Sequence, residues 1–459
     1  WVVFQGFSQE IGPDCLDAFG FDFDAWGGWQ YHIPSGQGEH VVLSVGIRML
    51  PGTNAVDMVF YRHPDQGRKD RLADDRPVTL ILRPDIEDRN FHEATKAFTG
   101  SEHRFPSAVT CRAKGFIFHP SDDHALEMEV ERSDFFIETQ WQYMIHHPQE
   151  AQRGQDPHSD LFSPGYFSGP LAGGESEILK ARVAGETGAS EEPGVDLRRR
   201  ISRFFGVAPQ WEPPVPALKK ALDQYIVKRD QYSTVIAGYP WFLDWGRDTL
   251  IVVRGIIAAG RFEEALNIIV QFAMFATDGT IPNMIRGTDT GNRDTSDAPL
   301  WLFRVCDELG TLMGQAKLLK TDCGGRPLKQ VLLSIARSIM AGTPNGIVMD
   351  AGSGLLFSPS HFTWMDTNYP AGTPRQGYPI EIQALWHYAL TMLNEIDQSP
   401  EWSRLAKQVA DSINGLFVIH ADDLTYLADC LSADPGTGAQ DAEVDDALRS
   451  NQLLAVTLG

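Results

Sequence analysis

Gly238-Tyr-Pro-Trp-Phe-Leu-Asp-Trp-Gly-Arg-Asp-Thr-Leu250 sets aromatic rings, two carboxylates and an arginine directly ahead of an apolar helical run. Aromatic faces stack on the apolar faces of a pyranose ring, and an Arg–Asp pair can clamp its hydroxyls. Phe362-Thr-Trp-Met-Asp366 repeats this chemistry with a carboxylate beside a tryptophan. Two such clusters on one helical scaffold point to work on glycosidic bonds.

From Pro216 onward the chain reads as helical. Leu218, Leu222, Tyr225 and Ile226 share one face at helical spacing, as do Phe262, Leu266, Ile269 and Phe272 or Ala273. The pattern predicts helices over residues 216–229, 248–259, 262–276, 298–320, 326–341, 379–397, 400–418 and 447–458. Antiparallel helical hairpins of this kind build bundles, solenoids or closed toroids. The loops 230–247, 277–297 and 343–378 are long and rich in polar and aromatic residues. They are expected to gather at one end of the helices and form a pocket.

Upstream, residues 1–185 read as β. Runs such as His40–Leu50, Ala55–Tyr61 and Val78–Arg83 are short, β-rich and separated by turn residues. An antiparallel β-sandwich is expected there. The polar stretch inside 186–210 reads as a linker, with the helical domain over 211–459.

The net charge of −22 disfavours nucleic acid and anionic membranes as partners and is compatible with a neutral polysaccharide. The five cysteines are scattered and form no C-x-x-C pair, so free thiols in a reducing compartment are expected. The chain opens Trp-Val-Val-Phe with no signal peptide and stops just after an apolar segment, which reads as a fragment cut at both ends. Cytoplasmic location is the corresponding expectation. His119, Asp122, Asp123 and His124 match no standard metal set and read as a solvated loop.

Glycoside hydrolysis needs two carboxyl groups, one to protonate the leaving oxygen and one to activate water or attack carbon. Asp366, following Trp364 and Met365, is the candidate acid, because apolar surroundings would keep it protonated. Asp248 is expected to be held ionised by Arg247, which suits a hydroxyl acceptor. Glu381 and Asp297 also have a plain explanation, since acidic residues are favoured at helix starts.

These residues resemble those of the amylo-α-1,6-glucosidase domain of glycogen debranching enzymes. The motifs are Gly238–Thr249, Gly260–Ala265, Asp278-Gly-Thr-Ile-Pro-Asn283, Ser296–Trp301, Thr363-Trp-Met-Asp366, Thr373–Gly377 and Glu381–Trp386. The β half is similar to the N-terminal domain of bacterial and archaeal members through Arg83-Pro84, Asp88–His92, Glu150, Arg153-Gly154, Asp160-Leu161, Ser163–Gly165 and Phe167. The resemblance implies an (α/α)6 toroid behind a β-sandwich, incomplete at its C-terminal side, and an inverting mechanism. It implies Asp366 as general acid and a substrate-binding set of Trp245, Arg247, Asp248, Asp297, Trp364, Arg375 and Glu381. The family's general base lies in a Tyr-His-Gln-Gly type motif that this sequence does not reach.

The leading reading is therefore removal of single α-1,6-linked glucose stubs from glycogen limit dextrin, with an α-glucan partner and no metal or organic cofactor. A glucoamylase-like exo-α-1,4-glucosidase is the nearest alternative. A glucan-binding protein that lacks its base is another. A ligand-free scaffold would leave the crowding of Trp, Arg and Asp in the loops unexplained.

Overall fold

The computed structural model describes residues 1–22, 26–50, 52–89, 93–152, 154–184, 197–205, 214–239, 242–367, 372–421 and 424–458. Pro240 and Trp241 of the opening stretch, Asn90–His92, Arg153 and most of the expected linker lie outside them. The chain divides into two units, Trp1–Lys220 and Ala221–Gly459.

In the first unit two antiparallel sheets face each other. One has the order Asp134–His146, His158–Leu171, Val78–Leu82, Val2–Phe4, Phe7–Gln9. The other runs Leu16–Asp22, Trp26–Gly36, Glu39–Met49, Ala55–Arg62, Ser176–Val183, His124–Val130, Gly115–Ser121, Val109–Arg112. Their inner faces supply one core, with Val41, Leu43, Val45 and Phe118 from the larger sheet and Val78, Leu80, Phe162 and Phe167 from the smaller. The outer face of the larger sheet is also covered. Helix Leu197–Phe204, inside the stretch expected as linker, buries Ile201 against Trp26, Val59 and Ile178. Strand Glu39–Met49 is thus apolar on both faces, which is why it reads as a run rather than an alternation.

In the second unit the helices form two layers. Gly246–Ala258, Ala298–Met313, Ile380–Asp397 and Gln452–Thr457 pack side by side. Phe262–Met274, Leu328–Ala341 and Pro400–Leu416 lie against them. The third of these inner helices is buried nearly all round. Ile380–Asp397 encloses Ile380, Ile382, Leu385, Trp386, Ala389 and Leu393, as a helix flanked on both sides must.

Three helix expectations need correction. The predicted helix 216–229 ends at Tyr225, and Ile226–Arg229 instead pairs with Tyr232–Val235 as a hairpin. Its β-branched start and the left-handed Asp230 favour that turn. The stripe expected there is not one face, since Leu222 and Ile226 meet the core while Leu218 and Tyr225 are exposed. The expected helix 298–320 breaks at Gly314, at φ 97°, and Gln315–Leu318 is a separate turn. The last helix begins at Gln452 rather than near 447. Among the described residues no helix is long and apolar enough to cross a membrane. All five cysteines are unpaired.

Candidate active site

The starts of the four inner helices are tied together by side chains. Arg247 and Asp248 open the first, Asp297 precedes the second, Glu381 opens the third and Asn451 precedes the fourth. The loops expected to gather do so here, since the Ser296 amide donates to Phe362 O at 2.8 Å.

The first helix start is built tightly. Asp244-Trp245 pairs with Met284-Ile285, and Arg229 grips the Asp244 carboxylate at 2.6 and 2.9 Å. Gly246 is required by close approach, since a Cβ there would lie 2.3 Å from Pro282 O. Trp245 is half-buried, with Phe242 edge-on to it at 6.4 Å.

Arg247 does not pair with its neighbour Asp248. Adjacent helical residues point to different sides, and the guanidinium turns instead to Asp297 and Asp366. Nε donates to Asp297 Oδ2 at 2.5 Å and Nη1 to Asp366 Oδ2 at 3.2 Å. Nη2 is buried and has no partner among the described residues. Burial opposes the charge of Arg247, but the two carboxylates outweigh it. Asp297 stands at a helix N-cap yet makes no cap bond. Its Oδ1 accepts from the Thr295 hydroxyl at 2.7 Å, and that hydroxyl in turn accepts from the Ala298 amide at 3.4 Å. The dipole explanation of Asp297 therefore gives way to a role as the buried anchor of Arg247.

Asp248 also departs from expectation. Burial pushes its carboxyl above the ordinary value, Arg247 opposes this, and Asp297 and Asp366 push it further up. The positive charge expected to hold it low is engaged by two other carboxylates. Among the described residues no cation pairs with it.

In the loop Thr363–Asp366 every residue meets a partner from outside the loop. The Thr363 hydroxyl accepts from Arg375 Nη1 at 3.1 Å. Trp364, 52% exposed, donates its indole N–H to Asn451 Oδ1 at 2.9 Å. Met365 Sδ lies 3.5 Å from Asn451 Nδ2, and Asp366 meets Arg247. The apolar environment expected for Asp366 is absent on that side, where its neighbour is a guanidinium and about a third of its side chain is exposed.

Arg375 and Glu381, expected to line the pocket, are enclosed completely. Arg375 forms a two-pronged pair with Glu381, including Nη2 to Oε2 at 2.6 Å. It also reaches Asp429 at 2.8 and 3.2 Å and the Asp429 carbonyl at 3.1 Å. None of its three nitrogens is left for a ligand. The pair is a brace beneath the loop, and it holds Arg375 in the left-handed region at φ 49°, where a non-glycine residue is strained.

Sequence reasoning missed Thr295, Asp429, Arg449 and Asn451. Asn451 carried no usable signal, because the pattern predicts the last helix from 447 and its partner Trp364 lies 87 residues away. Asp429 carried none, because its partners lie 54, 20 and 22 residues away.

Residues 220–459 match the amylo-alpha-1,6-glucosidase family, and residues 5–178 match the glycogen debranching enzyme N-terminal family. Among solved structures the chain is similar to a bacterial glucoamylase complexed with acarbose. That match has a TM-score of 0.51 and 12% identity, over 97% of this chain and 66% of that one. A human-microbiome protein described as a candidate kojibiose phosphorylase aligns with a TM-score of 0.48 and 8% identity, over 93% and 60% of the two chains. This chain thus spans just under two thirds of the length of those structures. The glucoamylase likeness shows the fold, a glucoamylase-like (α/α)6 helical domain behind an antiparallel β-sandwich.

Proposed function

From membership of the amylo-alpha-1,6-glucosidase family, to which this chain belongs, we propose that the protein hydrolyses the single α-1,6-linked glucose stubs of glycogen limit dextrin with inversion. The observation that carries this reading is Arg247, buried between Asp297 and Asp366 with Nη2 unpartnered among the described residues. A buried donor without an acceptor is costly, and a sugar hydroxyl would satisfy it. Asp248, without a cation partner, accepts a neighbouring hydroxyl. Trp245 and Trp364 supply apolar faces. Three carboxylates around one guanidinium leave the site negative, which suits the positive charge that develops on the sugar ring.

Asp366 acts as general acid in this scheme. To deliver a proton it must hold one, so its contact with Arg247 gives way when sugar hydroxyls take over the guanidinium. The water-activating carboxylate is expected at about 6.5–9.5 Å from the acid, as an inverting mechanism requires. The unpaired cysteines fit a reducing, intracellular setting.

The test is glucose release from phosphorylase limit dextrin by the full-length protein, followed by anomer-resolved NMR, beside Asp366→Asn and with maltotriose as competitor substrate. Early β-glucose from the dextrin, lost in the variant by at least about a thousandfold, supports the reading. Faster hydrolysis of maltotriose would replace it with an exo-α-1,4-glucosidase. Dextrin binding without any hydrolysis would leave a glucan-binding protein.

A further inference from the structure

We propose that Asn451 is a specificity-determining positioning residue, which sets the Trp364 indole as a stacking platform for the glucan chain on the leaving-group side of the scissile bond. The proposal rests on the reading of Asp366 as the acid. Trp364 is half exposed, whereas Trp386 and Trp402 of the same unit are fully buried. A tryptophan kept for packing hides its ring, and this one leaves about half of its surface exposed while its N–H is bonded. With that edge tied to Asn451 at 2.9 Å, the indole keeps one orientation and leaves its flat face to a ligand.

The network also fixes which way the Asn451 amide points. Its oxygen accepts from an indole that can only donate, and its nitrogen donates to Asp429 Oδ1 at 2.7 Å. Asn451 is 5% exposed and Asp429 is 1% exposed. Asp429 is held in turn by Arg375 at 2.8 Å and by Arg449 at 2.6 Å. The ring is therefore referenced to a buried ionic cluster rather than to a flexible loop. Depth assigns the subsite. Arg247 and Asp297 are enclosed and receive the terminal glucose, while Trp364 lies at the exposed rim, where the rest of the polymer must pass. It stands two residues from Asp366 but is held by a different partner, so the platform can shift while Arg247 keeps its grip on the proton donor.

Three variants test this in the full-length protein: Asn451→Ala, Trp364→Phe, which keeps a ring but lacks the N–H, and the double variant. Each is assayed on limit dextrin and on 4-nitrophenyl α-glucoside, which carries no glucan chain. Dextrin affinity is measured separately by equilibrium binding. Asn451→Ala is expected to lower kcat/KM for dextrin about five- to tenfold, mainly through KM, and to change the aryl glucoside by less than about twofold. In the Trp364→Phe background it should add less than about twofold, because the bond it removes is already gone. Equal losses on both substrates, or full additivity, would overturn the proposal. If the wild type binds dextrin without cleaving it, the debranching reading fails. The platform then stands or falls on whether Asn451→Ala weakens dextrin binding only when Trp364 can donate.

Discussion

At the residue scale, Arg247 joins three features that the sequence presented separately. The sequence reading takes W-G-R-D as a hydroxyl clamp but does not reach its wiring. Arg247 bonds to Asp297, fifty residues on, and Asp366, 119 residues on, and local spacing does not encode such partners. Arg247→Lys keeps the charge but cannot span two carboxylates. Its kcat/KM on limit dextrin should fall about a hundredfold, in a steady-state assay that would sink the clamp if activity held. Asp248 gives the opposite stability result. Its carboxyl is raised by burial, so its favourable contribution exists below the ordinary carboxylate range and is lost as pH rises through the elevated value. At neutral pH the ion is a burden that Asn would not carry. Asp248→Asn should therefore melt about 2 °C higher at pH 7, with the gain shrinking towards pH 4 and KM for dextrin rising. A variant that melts lower at pH 7 would show that Asp248 stabilises the fold.

Among the elements, the long apolar helices were legible because their faces repeat at helical spacing, and five of eight came out within a few residues. The failures lie where tertiary context decides. Ile226–Arg229 continues a helical pattern yet folds back as a strand, and Leu197–Phe204 sits in polar text yet buries Ile201. The fourth inner helix start was invisible because Asn451 gains meaning only from Trp364. Gly246 tests the tight start of the first helix. A Cβ placed 2.3 Å from the Pro282 carbonyl must push one strand off the other. Gly246→Ala should cost about 2 kcal/mol in urea unfolding and lower activity further by displacing Arg247. Unchanged stability would mean that the two segments separate freely and do not position the arginine.

For the molecule as a whole, the excess of 61 acidic over 39 basic residues sets a constraint that no single site shows. A protein of this charge repels polyanions, and its own carboxylates repel each other in the compact state. A neutral glucan has no net charge for that field to act on. Two effects of salt should therefore separate. The melting temperature should rise as salt screens the self-repulsion, over a Debye length that falls from about 10 Å at 0.1 M to about 3 Å at 1 M. Over the same range kcat/KM on limit dextrin should change by less than about twofold, because the hydroxyl contacts proposed for Arg247 and Asp248 are short-range and the former is buried. Charged substrates behave differently. An anionic glucan would be used faster as salt screens its repulsion, and a cationic one more slowly. A steep slope in either direction would mean that the substrate is not the neutral polymer that the site's hydroxyl-seeking groups describe.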